Sequence, residues 1–444
     1  MREKIKISDN FTIRKMILFS LPCIGMQLVN NTYQVVDGYF ISNVLGEEVF
    51  AAENMIFPAL AFLLSIGLVI GAGGNAVISA LLGERKEHEA NETLSLLTLF
   101  LFLSGLIISV LSFIFMKDIS GLVGANGAMI PYCTLYGRIL ACFMPVQIMN
   151  YAFQEFLIAA DEGGRGFAVT VVNAITNIVL DFLFVGILGF GLAGAAVATG
   201  SAWCVSFLVA LLYFIKPSNK LHFVALKINT DRVLGALGNG SSEMVNAASY
   251  AIVAIIFNRR LISLLSSRGV AAYAVTAYVS GVFVAVFIGF GIAIIPVVGY
   301  RYGEKNYKAV RKLRKDGLII AAVAGTVMTA IAWIFSVEIA NFFVGYNENL
   351  KNMAVFAIKI CALAYVLTGI NMFSSSFFTG ISDGLSSAII AFSRSFVMPI
   401  IAVYAVPFLF GNNNIWFTSL SAETVTGIIV IILFAIGNRT LRVR

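Results

Sequence analysis

Residues Thr170 to Val185 read TVVNAITNIVLDFLFV. The stretch is apolar enough to belong to a membrane-spanning helix, yet it carries Asn173, Asn177 and Asp181 at intervals of four. At 100° per residue, three such positions fan over only about 80° and form one polar stripe. A carboxylate inside hydrocarbon is costly. Such groups face the interior of a helix bundle and mark ion or substrate paths.

The rest of the chain is equally suited to hydrocarbon. Its 444 residues are 59% hydrophobic and 12% charged, with mean hydropathy +0.92, a balance foreign to water-soluble domains. Twelve apolar segments follow one another, with cores at 16–42, 54–82, 94–116, 129–158, 167–187, 191–215, 234–264, 271–300, 317–342, 352–379, 386–409 and 417–436. Segments of this length predict an all-α polytopic membrane protein. The net charge of +7 and pI of 9.1 do not point to a nucleic-acid partner, because the basic residues sit in short loops between spans. With the N-terminus placed inside, twenty-two Lys and Arg fall in inner loops and termini; only Lys117, Arg268 and Lys351 fall in outer loops. That asymmetry predicts a multi-pass protein of the plasma (inner) membrane with both termini cytoplasmic. The basic-then-apolar start, MREKIKISDNFTIRKMILF, continues past Val36 without a clear small-residue cleavage site and reads as an uncleaved first span. The five cysteines, Cys23, Cys133, Cys142, Cys204 and Cys361, match neither metal nor disulfide spacing and read as core-filling residues.

The chain repeats internally. At a shift of 220, Ala51-Ala52 falls on Ala271-Ala272 and Gly83-Glu84 on Gly303-Glu304; at 221, Arg138 falls on Lys359, Asn150 on Asn371 and Gly163 on Gly384. Each half holds six spans, an even number, so the halves lie parallel in the membrane, a transporter arrangement with the substrate path between them. The expected division is 1–215 as an N-terminal six-helix lobe, 216–232 as a cytoplasmic linker and 233–444 as a C-terminal six-helix lobe. At the same offsets Asn173, Asn177 and Asp181 meet Arg394, Met398 and Ala402, and Asp37 meets Phe257. The anionic cluster therefore belongs to the first half alone.

Asp37, in NNTYQVVDGYF, shares a helix face with Asn30 and Tyr33 at i, i+3, i+7 spacing. Two carboxylates with an amide and a hydroxyl suit Na⁺ as hard-oxygen ligands, or hold a shared proton. Thr199, one turn before Trp203, is by itself an ordinary helix threonine that can bond its own backbone. Glu243 reads equally as a second coupling carboxylate and as a helix-start acid favoured by the dipole. Asn150 and Gln154 share a face beside Glu155, as cavity lining or as interhelical hydrogen-bonding groups. Arg138 and Lys359 read as snorkelling residues. The GxGxxG of Gly189, Gly191 and Gly194 lacks a preceding strand and reads as a turn. Neither a Walker A sequence nor a convergent nucleophile or metal set is visible, so the chain reads as a non-enzyme without a cofactor.

Six stretches carry a family resemblance: VVDGYFISNVLGEEVFAA, LLGERKEHEA, AADEGGRGFAVTVVNAITNIVLDFLF and GLAGAAVATGSAW in the first half, and YGEKNYKAV with FFTGISDG in the second. With them the chain resembles the multidrug and toxic-compound extrusion (MATE) transporters, the bacterial multidrug-exporter branch, over nearly its whole length. The resemblance implies a pair of six-helix bundles in a V. It also implies multidrug efflux by antiport: amphiphilic, often cationic compounds leave in exchange for H⁺ or Na⁺, an activity tied to antibiotic resistance. By motif it implies an ion site of Asp37, Asn177, Asp181 and Thr199. By position it implies that Asn30, Tyr33, Asn150, Gln154 and Trp203 line the drug cavity; Asn173 joins them as lining rather than ion ligand. Glu243 matches an acid that some branches use for coupling. The implied partners are small-molecule drugs and membrane lipids, around a monomer. The rival reading is a lipid-linked saccharide flippase of the same superfamily, kept open by Arg259, Arg260 and Arg394. The major facilitator fold shares the parallel halves, but GERKEHEAN does not match its loop after the second span.

Overall fold

A computed structural model describes residues 5–125, 127, 129–345 and 347–443 of the chain. Among these residues every regular element is a helix. The first half comprises α1 (Ile13–Phe40), α2 (Glu47–Gly83), α3 (Glu87–Leu122), α4 (Met129–Ala159), α5 (Gly163–Asp181) and α6 (Gly191–Phe214). A short helix, α7 (Thr230–Asn239), leads into α8 (Ser241–Gly303), which breaks at Ser266, where φ is +61°. Then follow α9 (Tyr307–Ile334), α10 (Ser336–Val344), α11 (Glu348–Ala362), α12 (Tyr365–Gly380), α13 (Gly384–Phe392), α14 (Met398–Phe410) and α15 (Thr418–Val443).

Among the described residues ten helices are long and apolar enough to cross a membrane, and α11 with α12, bent by 43° at their junction, makes an eleventh if the pair is one span. The twelfth expected span is α1. Its 28 residues rise about 42 Å, enough to cross, but NNTYQ and Asp37 depress its hydropathy. Those polar residues lie on a helix packed against α5 and α8.

The structure corrects three boundaries. The segment expected at 234–264 begins at Ser241, because α7 is a separate helix capped by Asn229, whose side chain accepts from the amides of Asp231 and Arg232. The segment expected at 317–342 divides into α9 and α10. The segment expected at 352–379 bends after Ala362. The cysteines divide also: Cys23, Cys133 and Cys361 are buried as expected, whereas Cys204 is half-buried and Cys142 exposed.

The two halves meet along α2 and α8. At their ends the backbones touch: a Cβ on Gly83 would overlap the carbonyl oxygen of Tyr300, and one on Gly303 the carbonyl oxygen of Ala80. These four positions are repeat mates at 220, so the contact is reciprocal. The chain before α1 runs across the same end of the molecule. The amide of Ile7 donates to Asp161 Oδ1 at 2.6 Å, from the α4–α5 turn of the first half. Lys220 Nζ donates to the other Asp161 oxygen at 2.7 Å. From the second half, Arg301 Nη2 donates to the carbonyls of Ser8 and Asp9, each at 2.7 Å, and Lys312 Nζ to that of Phe11 at 2.9 Å. Residues 7–11 thus strap the two halves together. Arg301→Ala removes these two charge-assisted bonds together with the Arg301–Glu304 ion pair and is expected to cost on the order of 3 kcal/mol. Thermal melting in detergent should fall by several degrees, and trypsin should cut after Lys6 faster; unchanged melting and cleavage would refute the strap.

Candidate functional site

The polar stripe of the first half is buried where α1, α2, α4, α5 and α6 converge. Asp181 is the last residue of α5, fully buried, and the chain passes from it into a π-helical turn, Phe182–Ile187. Asp37 is buried near the end of α1, which passes into another π-helical turn, Ile41–Leu45. Such turns re-aim side chains and recur at functional sites. Asp37 lies within hydrogen-bonding reach of Asp181 and Asn177. Asn177 Nδ2 donates to Thr199 Oγ1 of α6 at 3.2 Å. The four residues that resemblance assigned to an ion site therefore meet in one place.

That place holds more. Glu53, in the second turn of α2, is buried within hydrogen-bonding reach of Asp37. Tyr136 of α4 donates its hydroxyl to Glu53 Oε1 at 3.4 Å and also meets Thr199. Sequence reasoning missed both. Glu53 stands one residue before the apolar core expected at 54–82, where hydropathy does not mark an acid as intramembrane. No sequence signal distinguishes Tyr136 from other span tyrosines. Asp37 Oδ1, Glu53 Oε2, Asn177 Oδ1 and both carboxylate oxygens of Asp181 are buried without a hydrogen-bond partner. Buried polar atoms are ordinarily satisfied; this set of acceptors has the chemistry to take a proton donor or a cation. No ion pair joins any of the three acids among the described residues.

The residues expected to line a drug cavity form a hydrogen-bonded layer beneath. Asn150 Nδ2 donates to Gln147 Oε1 at 3.3 Å and to Ser206 Oγ at 2.9 Å, and Ser206 Oγ meets Asn173 Oδ1 at 3.4 Å. Thr170 donates to Gln154 at 3.0 Å. Trp203 is buried with its Nε1 unpartnered. Asn30 and Tyr33 sit on the half-buried face of α1.

A cavity lies elsewhere, between the halves. Its volume is about 500 Å³, and its lining includes Gln27, Glu155, Glu243, Tyr273, Phe287 and Met372. None of the six residues assigned to drug binding is among that lining. Glu243 faces the cavity with Glu155, which accepts from Asn75 Nδ2 at 3.1 Å. Arg394 also reaches the cavity, but its Nε donates to Glu423 Oε1 at 2.9 Å. Asn371 Nδ2 and Thr368 Oγ1 complete the Glu423 carboxylate, at 2.7 and 3.0 Å. Here the repeat acquires physical content. Asn150 and Asn173 bond to Ser206 in the first half; their mates Asn371 and Arg394 bond to Glu423 in the second. A neutral layer in one half is an ion pair in the other.

Two discontinuous blocks, residues 22–183 and 236–405, match the sequence profile of the MatE family, one block in each half. The chain belongs to the MatE family. Among curated relatives it is 26% identical over 367 residues to the probable multidrug resistance protein YoeA of Bacillus subtilis (strain 168), covering 80% of this chain and 78% of that one. It is 21% identical to the multidrug export protein MepA of Staphylococcus haemolyticus (strain JCSC1435), covering 97% and 95%. A MATE transporter crystallised in complex with MaL6 superposes with a TM-score of 0.91 at 23% identity, over 98% of both chains. An outward-facing multidrug resistance MATE transporter of the MOP superfamily superposes at 0.90 and 22%, over 97% of each. At these identities the superpositions establish the MatE fold: two parallel six-helix halves in a multi-pass membrane protein.

Proposed function

We propose that this MatE protein is a secondary-active antiporter of the plasma membrane, with both termini cytoplasmic. It exports amphiphilic, often cationic compounds in exchange for H⁺ or Na⁺. The observation that carries the reading is Asp181, a fully buried carboxylate with neither oxygen satisfied, among Asp37, Asn177 and Thr199. A buried carboxylate that no basic side chain neutralises is costly, which favours a group that exchanges a proton or Na⁺. The cavity between the halves supplies aromatic and Met surface with Glu155 and Glu243, which suits an apolar cation. Coupling needs only that ion and drug favour different arrangements of the halves.

The flippase reading needs a cationic cavity for a pyrophosphate. Here the one lining guanidinium, Arg394, is consumed by Glu423. Arg260 lies over Tyr404, 5.5 Å from the ring centroid, and Arg259 is exposed. Purified protein in liposomes, loaded with ethidium and given Na⁺ and pH gradients separately, should expel the dye under one of them. Efflux indifferent to both gradients would overturn antiport.

A further inference from the structure

The acids of the first half are arranged as a row. Asp37 is the middle member: Glu53 lies within hydrogen-bonding reach on one side and Asp181 on the other. Asn177 adjoins both Asp181 and Asp37, Tyr136 donates to Glu53, and Thr199 lies between Asn177 and Tyr136, so the neutral groups close round the acids. Among the described residues no three acid, imidazole or thiol groups converge on one point as a metal site would require. The row therefore offers two gaps rather than one cage: Asp37–Asp181 and Glu53–Asp37.

Charge counting decides what fills them. Three buried carboxylates face one another with no ion pair to a basic side chain among the described residues. A single monovalent cation in the Asp37–Asp181 gap leaves two negative charges buried side by side, a repulsion that low-dielectric surroundings penalise heavily; a second cation leaves one, shared among the acids and with no like charge beside it. The unpartnered atoms agree: Glu53 Oε2 is as bare as Asp37 Oδ1, and the Tyr136 hydroxyl satisfies only the other Glu53 oxygen. Asn177 Oδ1, buried without a partner, lies beside the Asp37–Asp181 pair.

We propose that Glu53 is the third carboxylate of the ion site and that it adds one monovalent cation, proton or Na⁺, to those taken up per transport cycle. The inference rests on the antiport reading above. One cation would serve the Asp37–Asp181 gap and a second the Glu53–Asp37 gap. Exchange of two cations for one monovalent drug cation moves one net positive charge, so the cycle is electrogenic. Without Glu53 the exchange becomes one for one and electroneutral.

The test uses full-length protein in liposomes with ethidium, a monovalent cation, as probe. The ion gradient that drives the wild type is imposed, and a K⁺/valinomycin clamp sets the potential at zero or at 100 mV, negative on the dye-loaded side. For tightly coupled wild type the potential should raise the steady-state dye gradient about fifty-fold, the equivalent of one charge. Glu53→Gln should still respond to the ion gradient but not to the potential; Glu53→Met serves if the amide variant fails to fold. Glu53→Asp, which keeps the charge, should keep the voltage response. Wild-type voltage response in Glu53→Gln, or its loss in Glu53→Asp as well, would overturn the proposal. Gradient-driven efflux in the wild type with no voltage response would also overturn it. Absence of gradient-driven efflux in the wild type would instead overturn antiport itself.

Discussion

Asp181→Asn is expected to abolish ion-driven efflux while leaving the protein folded. The amide has the size of the carboxylate and fits the same fully buried position on α5. It can neither hold a proton shared with Asp37 nor complete the charge that a cation needs. A charge-assisted ligand is worth roughly 1.5–3 kcal/mol, about 10- to 100-fold in ion affinity. Coupled transport should fall by at least that much, because the ion must bind in every cycle. Thermal melting should stay level or rise, since an unpaired buried charge has been removed. Dye efflux and melting measured on one preparation separate the two effects. Efflux within twofold of wild type would remove Asp181 from the coupling site, and a collapse in melting would make it structural.

The second large effect is expected at the crossing of α2 and α8. Gly→Ala in a helix interior ordinarily stabilises by about 0.5–1 kcal/mol. Gly121 of α3, where an added Cβ meets nothing, should behave so. At Gly83 the Cβ would overlap the carbonyl oxygen of Tyr300, which is backbone and cannot rotate aside. The helices must separate instead, and overpacking of this kind costs roughly 1–3 kcal/mol. Gly83→Ala and Gly303→Ala should each lower melting and slow efflux. Because the two contacts are reciprocal, separation forced by one relieves the other, and the double variant should cost less than the sum. Simple additivity, or a stabilised Gly83→Ala, would show that the helices do not meet there as described.

Much of this was legible in the sequence because hydrocarbon is a demanding solvent. A backbone inside it must be helical, so length and hydropathy alone specify an all-α polytopic chain. An acid in such a run is conspicuous for the same reason, and Asp37 and Asp181 were found that way. The 220-residue repeat located Gly83 and Gly303 as mates before any contact was known. Boundaries were less legible: α7 merges with the next span in a hydropathy reading, and the bend after Ala362 leaves no apolar gap.

What the sequence by itself determined is the class of protein, its repeat, its family resemblance and the asymmetry that puts the acids in one half. Tertiary structure alone decided which acids act together. Glu53 precedes its apolar segment and Glu423 lies inside one, yet the first comes to lie beside Asp37 and the second pairs with Arg394. The physical reason is that a carboxylate's role depends on the charges within a few ångströms of it, and those come from helices distant in the chain.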